Sequence, residues 1–211
     1  MKLYTYFRSS AAFRVRIALN LKGLAYDPVV IHLAKGEHRK PEYAAVYPQA
    51  LLPTLVDDGE ALSQSLAIIE YLDETHPATP LLPKDALGRA RVRSLALLVA
   101  CEIHPLNNLR TLQYLKRHLG QDEEGINTWY RHWVADGLVK LEADLARGHT
   151  GRFCHGDRPT MADCCLVPQI FNARRYDSDL TPYPLVMRIF DACMQLAAFD
   201  RAQPSKQPDA E

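Results

Sequence analysis

Two serines at the junction of a strand-like and a helix-like stretch are the residues best suited to chemistry. In Arg8-Ser9-Ser10-Ala11-Ala12-Phe13-Arg14-Val15-Arg16-Ile17-Ala18-Leu19, the serines follow an alternating, aromatic-rich run and precede apolar residues at helical spacing. The first amides of such a helix lack intrahelical partners and carry partial positive charge, so the turn favours an anion or a thiolate beside a serine hydroxyl. The same serines also suit an ordinary helix cap. A dithiol redox centre would need Cys-x-x-Cys at this turn, where the chain has Ser9-Ser10-Ala11-Ala12, so redox exchange by the protein's own thiols is not expected. A hydroxyl here can instead donate to an external thiolate, whose pKa falls from roughly 8.5 beside cations and helix-end amides. Gln64-Ser65, ahead of Leu66, Ile68, Ile69 and Leu72, makes a second helix start that can hold a carboxylate or act as a plain cap.

The elements that position these residues are read from periodicity. Lys2 to Tyr6 alternate as a strand, Phe13, Ile17 and Leu21 mark a helix, and Tyr26 to Leu33 reads as a second strand parallel to the first. A polar segment with Gly36 and His38 leads to a short helix through Tyr43 to Val46, and Pro53 stands at the entrance to the next strand. Thr54 to Val56 and Ala61-Leu62, joined by Asp57-Asp58-Gly59, read as a hairpin. The order is βαβαββα, a layered α/β domain over residues 1–76. Three prolines in Pro77 to Pro83 mark a linker, 77–84. Residues 85–211 read as an all-helical bundle. Its expected elements are two long antiparallel helices (Arg89 to Leu119, interrupted by Pro105, and Ile126 to Leu145), a helix Cys164 to Asn172 opened by Thr160 and Asp163, and a helix from Leu185 to about Ala197. A loose tail is expected from Gln203 to Glu211.

Composition narrows the partners. The 211 residues carry 25 basic and 25 acidic side chains, a formal net charge of zero, which removes the electrostatic case for nucleic acid or a membrane surface. No apolar run approaches the roughly 20 residues of a membrane span, and the N-terminus reads as a strand rather than a signal peptide, so a cytoplasmic location is expected. The five cysteines, without Cys-x-x-Cys, suggest buried free thiols rather than a disulfide framework or a zinc site, and no metal is expected.

Several blocks resemble the zeta class of glutathione transferases. They are Ser9-Ser10-x-x-Phe13-Arg14-Val15-Arg16-Ile17-Ala18-Leu19, Leu52-Pro53-Thr54-Leu55, Gln64-Ser65-Leu66-Ala67-Ile68-Ile69-Glu70-Tyr71-Leu72, Asn172-Ala173-Arg174-Arg175 and Asp179-Leu180-Thr181-Pro182-Tyr183-Pro184. The resemblance spans both expected domains. It implies a thioredoxin-like N-terminal domain, an all-helical C-terminal domain, glutathione as cofactor, a homodimer, and cis–trans isomerisation of maleylpyruvate or maleylacetoacetate in aromatic-compound catabolism. It gives Ser9 and Ser10 the thiol, with Ala11 beside it where the family usually has cysteine. Leu52 before a cis Pro53 would pair with the cysteinyl backbone, Gln64 and Ser65 would grip the γ-glutamyl end, and His38 would reach the glycyl end.

The segment Cys101-Glu102-Ile103-His104-Pro105-Leu106-Asn107-Asn108-Leu109-Arg110 resembles the family's second wall, where His104 and Asn108 would line the glutathione site, and their spacing of four residues lets them share one helix face. A maleyl keto acid is a small dicarboxylate, and arginine forks suit its oxygens, so Arg8, Arg110 and Arg175 are the substrate candidates, with Arg110 favouring the more compact acid. The implied chemistry is reversible addition of thiolate to the cis double bond. A detoxifying transferase that leaves glutathione on its product and a non-catalytic binding module are the alternatives. Tyr4 and Tyr6 compete with the serines, because other glutathione transferases use an N-terminal tyrosine.

Overall fold

The computed structural model describes the whole chain, Met1–Glu211. It comprises two compact units, Met1–Leu82 with Met194–Glu211, and Pro83–Cys193. No helix is long and apolar enough to cross a membrane.

The first unit follows the expected βαβαββα order: β1 (Lys2–Thr5), α1 (Ser10–Lys22), β2 (Asp27–Val30), α2 (Pro41–Ala44), β3 (Thr54–Asp57), β4 (Glu60–Ser63) and α3 (Ser65–Thr75). The sheet order is β2-β1-β3-β4, with β1 parallel to β2 and the other two pairings antiparallel. The β3–β4 turn takes positive φ at Asp58 (47°) and Gly59 (86°), the geometry that Asp-Gly supplies in a two-residue hairpin. Leu3 and Leu55 face each other in register and are fully buried.

Helix α1 packs against both α3 and α10 (Ala197–Ala202), so it is buried on most of its surface rather than on one stripe. This enclosure takes in Arg14 and Arg16 as well as the apolar residues. Arg16 is fully buried. Its guanidinium donates to the Ala202 carbonyl (3.1 Å), Thr5 Oγ1 (3.0 Å), the Tyr6 carbonyl (3.3 Å) and the Phe7 carbonyl (3.1 Å). Burial lowers its pKa to about 10, with Tyr26 and Asp209 opposing, so it stays charged at neutral pH.

Two expectations about connections are corrected. Pro77–Leu82 belongs to the first unit instead of a free linker: Lys22 Nζ binds Asp73 (2.8 Å) and the carbonyls of His76 (3.0 Å) and Thr79 (2.9 Å), and Asp73 accepts from the Leu81 amide (2.7 Å). The C-terminal stretch is not loose. After α10 comes a 3₁₀ turn, Pro204–Lys206, and Asp209 accepts a hydrogen bond from the Phe7 amide (2.9 Å), which sets residues 194–211 with the first unit rather than with the bundle.

The second unit is helical: α4 (Ala86–Leu97), α5 (His104–Asn107), α6 (Leu109–Arg117), α7 (Glu123–Ala146), α8 (Met161–Arg175) and α9 (Pro184–Met194). The first long helix expected here is in fact three helices joined through a π-helical segment, Leu98–Ile103, and a break at Asn108. A Cβ on Gly137 of α7 would collide with the Ile103 side chain, so glycine permits the approach of α7 to that segment. The Thr160–Asp163 capping box forms as expected at the start of α8.

Removing the Arg16 head group would leave the Tyr6, Phe7 and Ala202 carbonyls buried without their donor. Arg16→Met should lower the unfolding free energy by about 3 kcal/mol, seen as a lower urea midpoint at unchanged m-value. An unchanged midpoint would mean that the guanidinium is not structural.

Candidate functional site

Strand direction decides which residues meet. β4 runs antiparallel to β3, which runs antiparallel to β1, so β1 and β4 point the same way and the helices that follow them start at one edge of the sheet. The register Tyr4↔Thr54↔Ser63 brings Pro53 to that same edge. Ser9-Ser10, Leu52-Pro53 and Gln64-Ser65 are therefore gathered by the sheet itself.

Ser9 is the N-cap of α1, its Oγ accepting from the Ala12 amide at 3.2 Å, and Ser10 is the first helical residue. Both are nearly buried, while Arg8 is exposed with its guanidinium 4.8 Å over the Phe7 ring. Tyr6, the tyrosine alternative, is buried, with its ring packed on those of Phe7 and His32, both at 4.8 Å.

Across the edge, Gln64 holds a positive φ of 63° with its side chain exposed and not used as a cap. A non-glycine residue kept in that region ahead of a helix points to a functional constraint. Ser65 Oγ accepts from Arg14 Nη1 at 3.2 Å, a bond between two buried side chains that joins the starts of α1 and α3. The Leu52–Pro53 bond is cis, and the main-chain groups of Leu52 make no hydrogen bond within the chain. Tyr43 steadies this loop through the Leu51 carbonyl and Thr54 Oγ1 (2.8 Å). His38 is half-buried on the 3₁₀ turn Glu37–Arg39. Burial and then Arg39 lower its pKa, and its Nδ1 is enclosed without a hydrogen-bond partner.

In the helical unit, His104 opens α5, but it does not share a continuous helix face with Asn108. Asn108 has left the helix and caps α6, its Oδ1 accepting from the amides of Arg110 (3.0 Å) and Thr111 (3.3 Å). The spacing of four residues misleads here because a capping asparagine ends one helix and begins another. Arg110 is exposed in the first turn of α6, and Arg175 is exposed at the end of α8 with its guanidinium 5.3 Å over the Tyr176 ring. Tyr176 is fixed by stacking on Tyr130 (3.6 Å between centroids) and by Arg131 Nε donating to its carbonyl at 2.8 Å. No ion pair holds Arg8, Arg110 or Arg175.

The sequence reading missed Arg14 and Tyr43 as supports of the site. For Arg14 there was a usable signal: Arg14-x-Arg16 interrupts an apolar run that the packing encloses.

Two family models match, the glutathione S-transferase N-terminal domain over residues 3–80 and the C-terminal domain over 134–192. A maleylpyruvate isomerase from Ralstonia sp. is 51% identical over 211 residues, covering all of both chains. The chain belongs to the zeta class of the glutathione S-transferases. Among solved zeta-class structures, a bacterial maleylpyruvate isomerase in its holo form matches with a TM-score of 0.98 at 50% identity over all of both chains. The maleylacetoacetate isomerase of Anaeromyxobacter dehalogenans 2CP-1, solved with glutathione in its active site, matches with a TM-score of 0.90 at 45% identity, over 100% of this chain and 97% of that one. That enzyme has also been solved with dicarboxyethyl glutathione and citrate in the active site.

For this zeta-class chain, Ser9 and Gln64 should respond oppositely to substitution. Ser9→Ala removes a cap and should cost about 1 kcal/mol, whereas Gln64→Gly relieves a disfavoured φ and should leave stability unchanged or raise it by up to ~1 kcal/mol. Urea melts of the two variants test this, and a clear loss of stability in Gln64→Gly would make its side chain structural.

Proposed function

We propose that this chain is a glutathione-dependent isomerase that converts maleylpyruvate or maleylacetoacetate to the fumaryl isomer, working as a cytoplasmic homodimer in aromatic-compound catabolism. The observation that carries the reading is the convergence, at one sheet edge, of two helix starts, Ser9-Ser10 beside the unpaired Arg8 and Gln64-Ser65, around a Leu52 backbone with free hydrogen-bonding groups.

Those residues fit glutathione group by group. The N-terminus of α1 and the Ser10 hydroxyl favour a thiolate, with Ser9 capping the helix and Ala11 offering only a methyl group beside it. Leu52, before cis Pro53, can pair with a peptide backbone. Gln64 and Ser65 at the start of α3 favour a carboxylate, with Arg14 behind Ser65 orienting its hydroxyl. His38 keeps an enclosed, unpartnered nitrogen for the glycyl end. His104 and Asn108 are assigned to the second wall from the family blocks. Bound glutathione supplies a thiolate that adds reversibly to the cis double bond.

The protein's further task is to hold the acid and accommodate charge. Arg8 binds the carboxylate and keto oxygens of the substrate, and Arg110 and Arg175, exposed and unpaired in the second unit, are further substrate candidates on the family resemblance. Negative charge grows on those oxygens as the double bond is lost, and exposed, unpaired guanidinium groups are free to meet it. The pKa of His38 lies below its ordinary value of about 6.5, so the ring is neutral above pH 7 and acts there as a hydrogen-bonding group.

The fumaryl isomer should accumulate with free glutathione undiminished. Product that retains a glutathionyl group would replace this reading with the transferase one, and failure to bind glutathione by calorimetry would replace it with a binding module. Arg8→Ala should lower kcat/KM about 100-fold, the loss expected for one charged hydrogen bond. For His38→Asn, the ratio of its glutathione Kd to that of the parent should stay constant from about pH 7 to 8.5 and change only below about 6.5, where the parent imidazole takes up a proton. A ratio that changes between pH 7 and 8.5 would exclude the neutral ring as the ligand.

A further inference from the structure

The C-terminal segment reaches the turn that leads to Arg8 and bonds it at Phe7. The Phe7 amide donates to Asp209 Oδ2 at 2.9 Å, while the Phe7 carbonyl on the opposite side accepts from Arg16 Nη2 at 3.1 Å. The peptide groups of Phe7 are thus tied on both sides. Asp209 also supports the Arg16 charge against its desolvation, and the second carboxylate oxygen of Asp209 is enclosed without a hydrogen bond. A buried carboxylate oxygen left unbonded is costly, so the side chain is held in place by what its other oxygen and its charge do.

Two residues on, Glu211 Oε1 bonds His32 Nε2 at 3.0 Å and lies 3.8 Å from Lys35 Nζ. The His32 ring packs on Tyr6, and the His32 bond lowers the Glu211 pKa, with Arg8 among the smaller contributors. The same short segment therefore bonds Phe7 directly and meets Tyr6 through the His32 ring, and the Glu211 charge also feels that of Arg8. Glu211 is exposed and its ion pairs are weak on their own, which leaves Asp209 as the principal attachment.

We propose that Gln203–Glu211 is a strap in which Asp209 is a positioning residue, holding the Phe7 peptide so that Arg8 is presented to the substrate carboxylate. The inference rests on the reading of Arg8 as a substrate ligand. It assigns Asp209 no contact with substrate or glutathione. Loss of the strap would let the Arg8 backbone wander while the cap at Ser9 and the start of α3 stay formed, so substrate affinity falls and glutathione affinity does not.

The test uses the full chain with Asp209→Ala and, as the conservative variant, Asp209→Asn, which keeps an oxygen acceptor without the charge. In Asp209→Ala the Phe7 amide should exchange with solvent at least 10-fold faster by NMR while amides of α8 keep their rates. KM for maleylpyruvate should rise about 5-fold to 10-fold, with kcat and the glutathione Kd each within 2-fold of the parent. Asp209→Asn should recover most of the Phe7 protection and most of the KM. Unchanged Phe7 exchange in Asp209→Ala, or kcat, KM and glutathione Kd worsening together, would overturn the strap. If Asp209→Ala does not fold, Asp209→Ser, whose side chain is too short to reach the Phe7 amide, decides in its place: faster Phe7 exchange with raised KM supports the strap, and parent values in both overturn it. Arg8→Ala with an unchanged kcat/KM would instead overturn the reading of Arg8, because Phe7 exchange reports the strap independently.

Discussion

The first unit depends on a charge that has no access to water. Desolvating a guanidinium costs several kcal/mol, and the cost is tolerable only if each of its nitrogens finds an oxygen. Arg16 finds four, on Thr5, Tyr6, Phe7 and Ala202, drawn from the end of β1, the turn beyond it and the last residue of α10. None of these partners is dispensable to an enclosed cation. A hydrophobic residue of similar volume could fill the space, but it could not direct two consecutive carbonyls inward and so set the path of the chain immediately before Arg8 and Ser9. The buried arginine is best understood as a geometric constraint on the turn, with C-terminal helix and turn required to form together.

From that constraint the chemistry follows by strand polarity. Because β1 and β4 run in the same direction, α1 and α3 begin at the same edge, and two positive helix ends lie along that edge. The Arg14–Ser65 bond ties these two starts to each other. Gln64 shows the expense of this arrangement: its φ of 63° is one that few side chains adopt, yet the residue there is not glycine. The disfavoured backbone is compatible with the proposed role of Gln64 as a ligand-binding side chain.

Much of this was legible from pattern. The βαβαββα order, the Asp58-Gly59 hairpin, the Thr160–Asp163 capping box and the paired helix starts all come from local preferences that agree with their tertiary setting. What escaped were features decided by distant partners. Arg16 looks like a solvated charge until α10 covers it, and Asp209 looks like part of a polar tail until the Phe7 amide is found beside it. The segment 77–84 looks like a linker because prolines bar a helix, yet Lys22 and Asp73 tether it. Asn108 shows the same limit from the other direction, since helical spacing continues through a residue whose own side chain ends the helix. Periodicity registers apolar burial, and it is silent on polar groups whose partners lie far along the chain.

Ala11 bears on where the reactive sulfur comes from. A cysteine in the first turn of α1 would sit among helix-end amides beside Arg8, conditions that lower a thiol pKa and make it a second nucleophile next to a bound thiolate. Alanine removes that competing nucleophile and leaves the helix start intact. The chain's remaining thiols do not replace it: Cys154 and Cys193 are buried near Asp163 and pushed to high pKa, first by burial and then by that carboxylate, and Cys164 and Cys165 are fully buried. Cys101 is exposed but lies in the π-helical segment of the second unit and not in the serine turn. At this serine turn the protein therefore offers a hydroxyl, helix-end amides and a guanidinium but no sulfur of its own, an environment suited to stabilising a thiolate that arrives with the ligand.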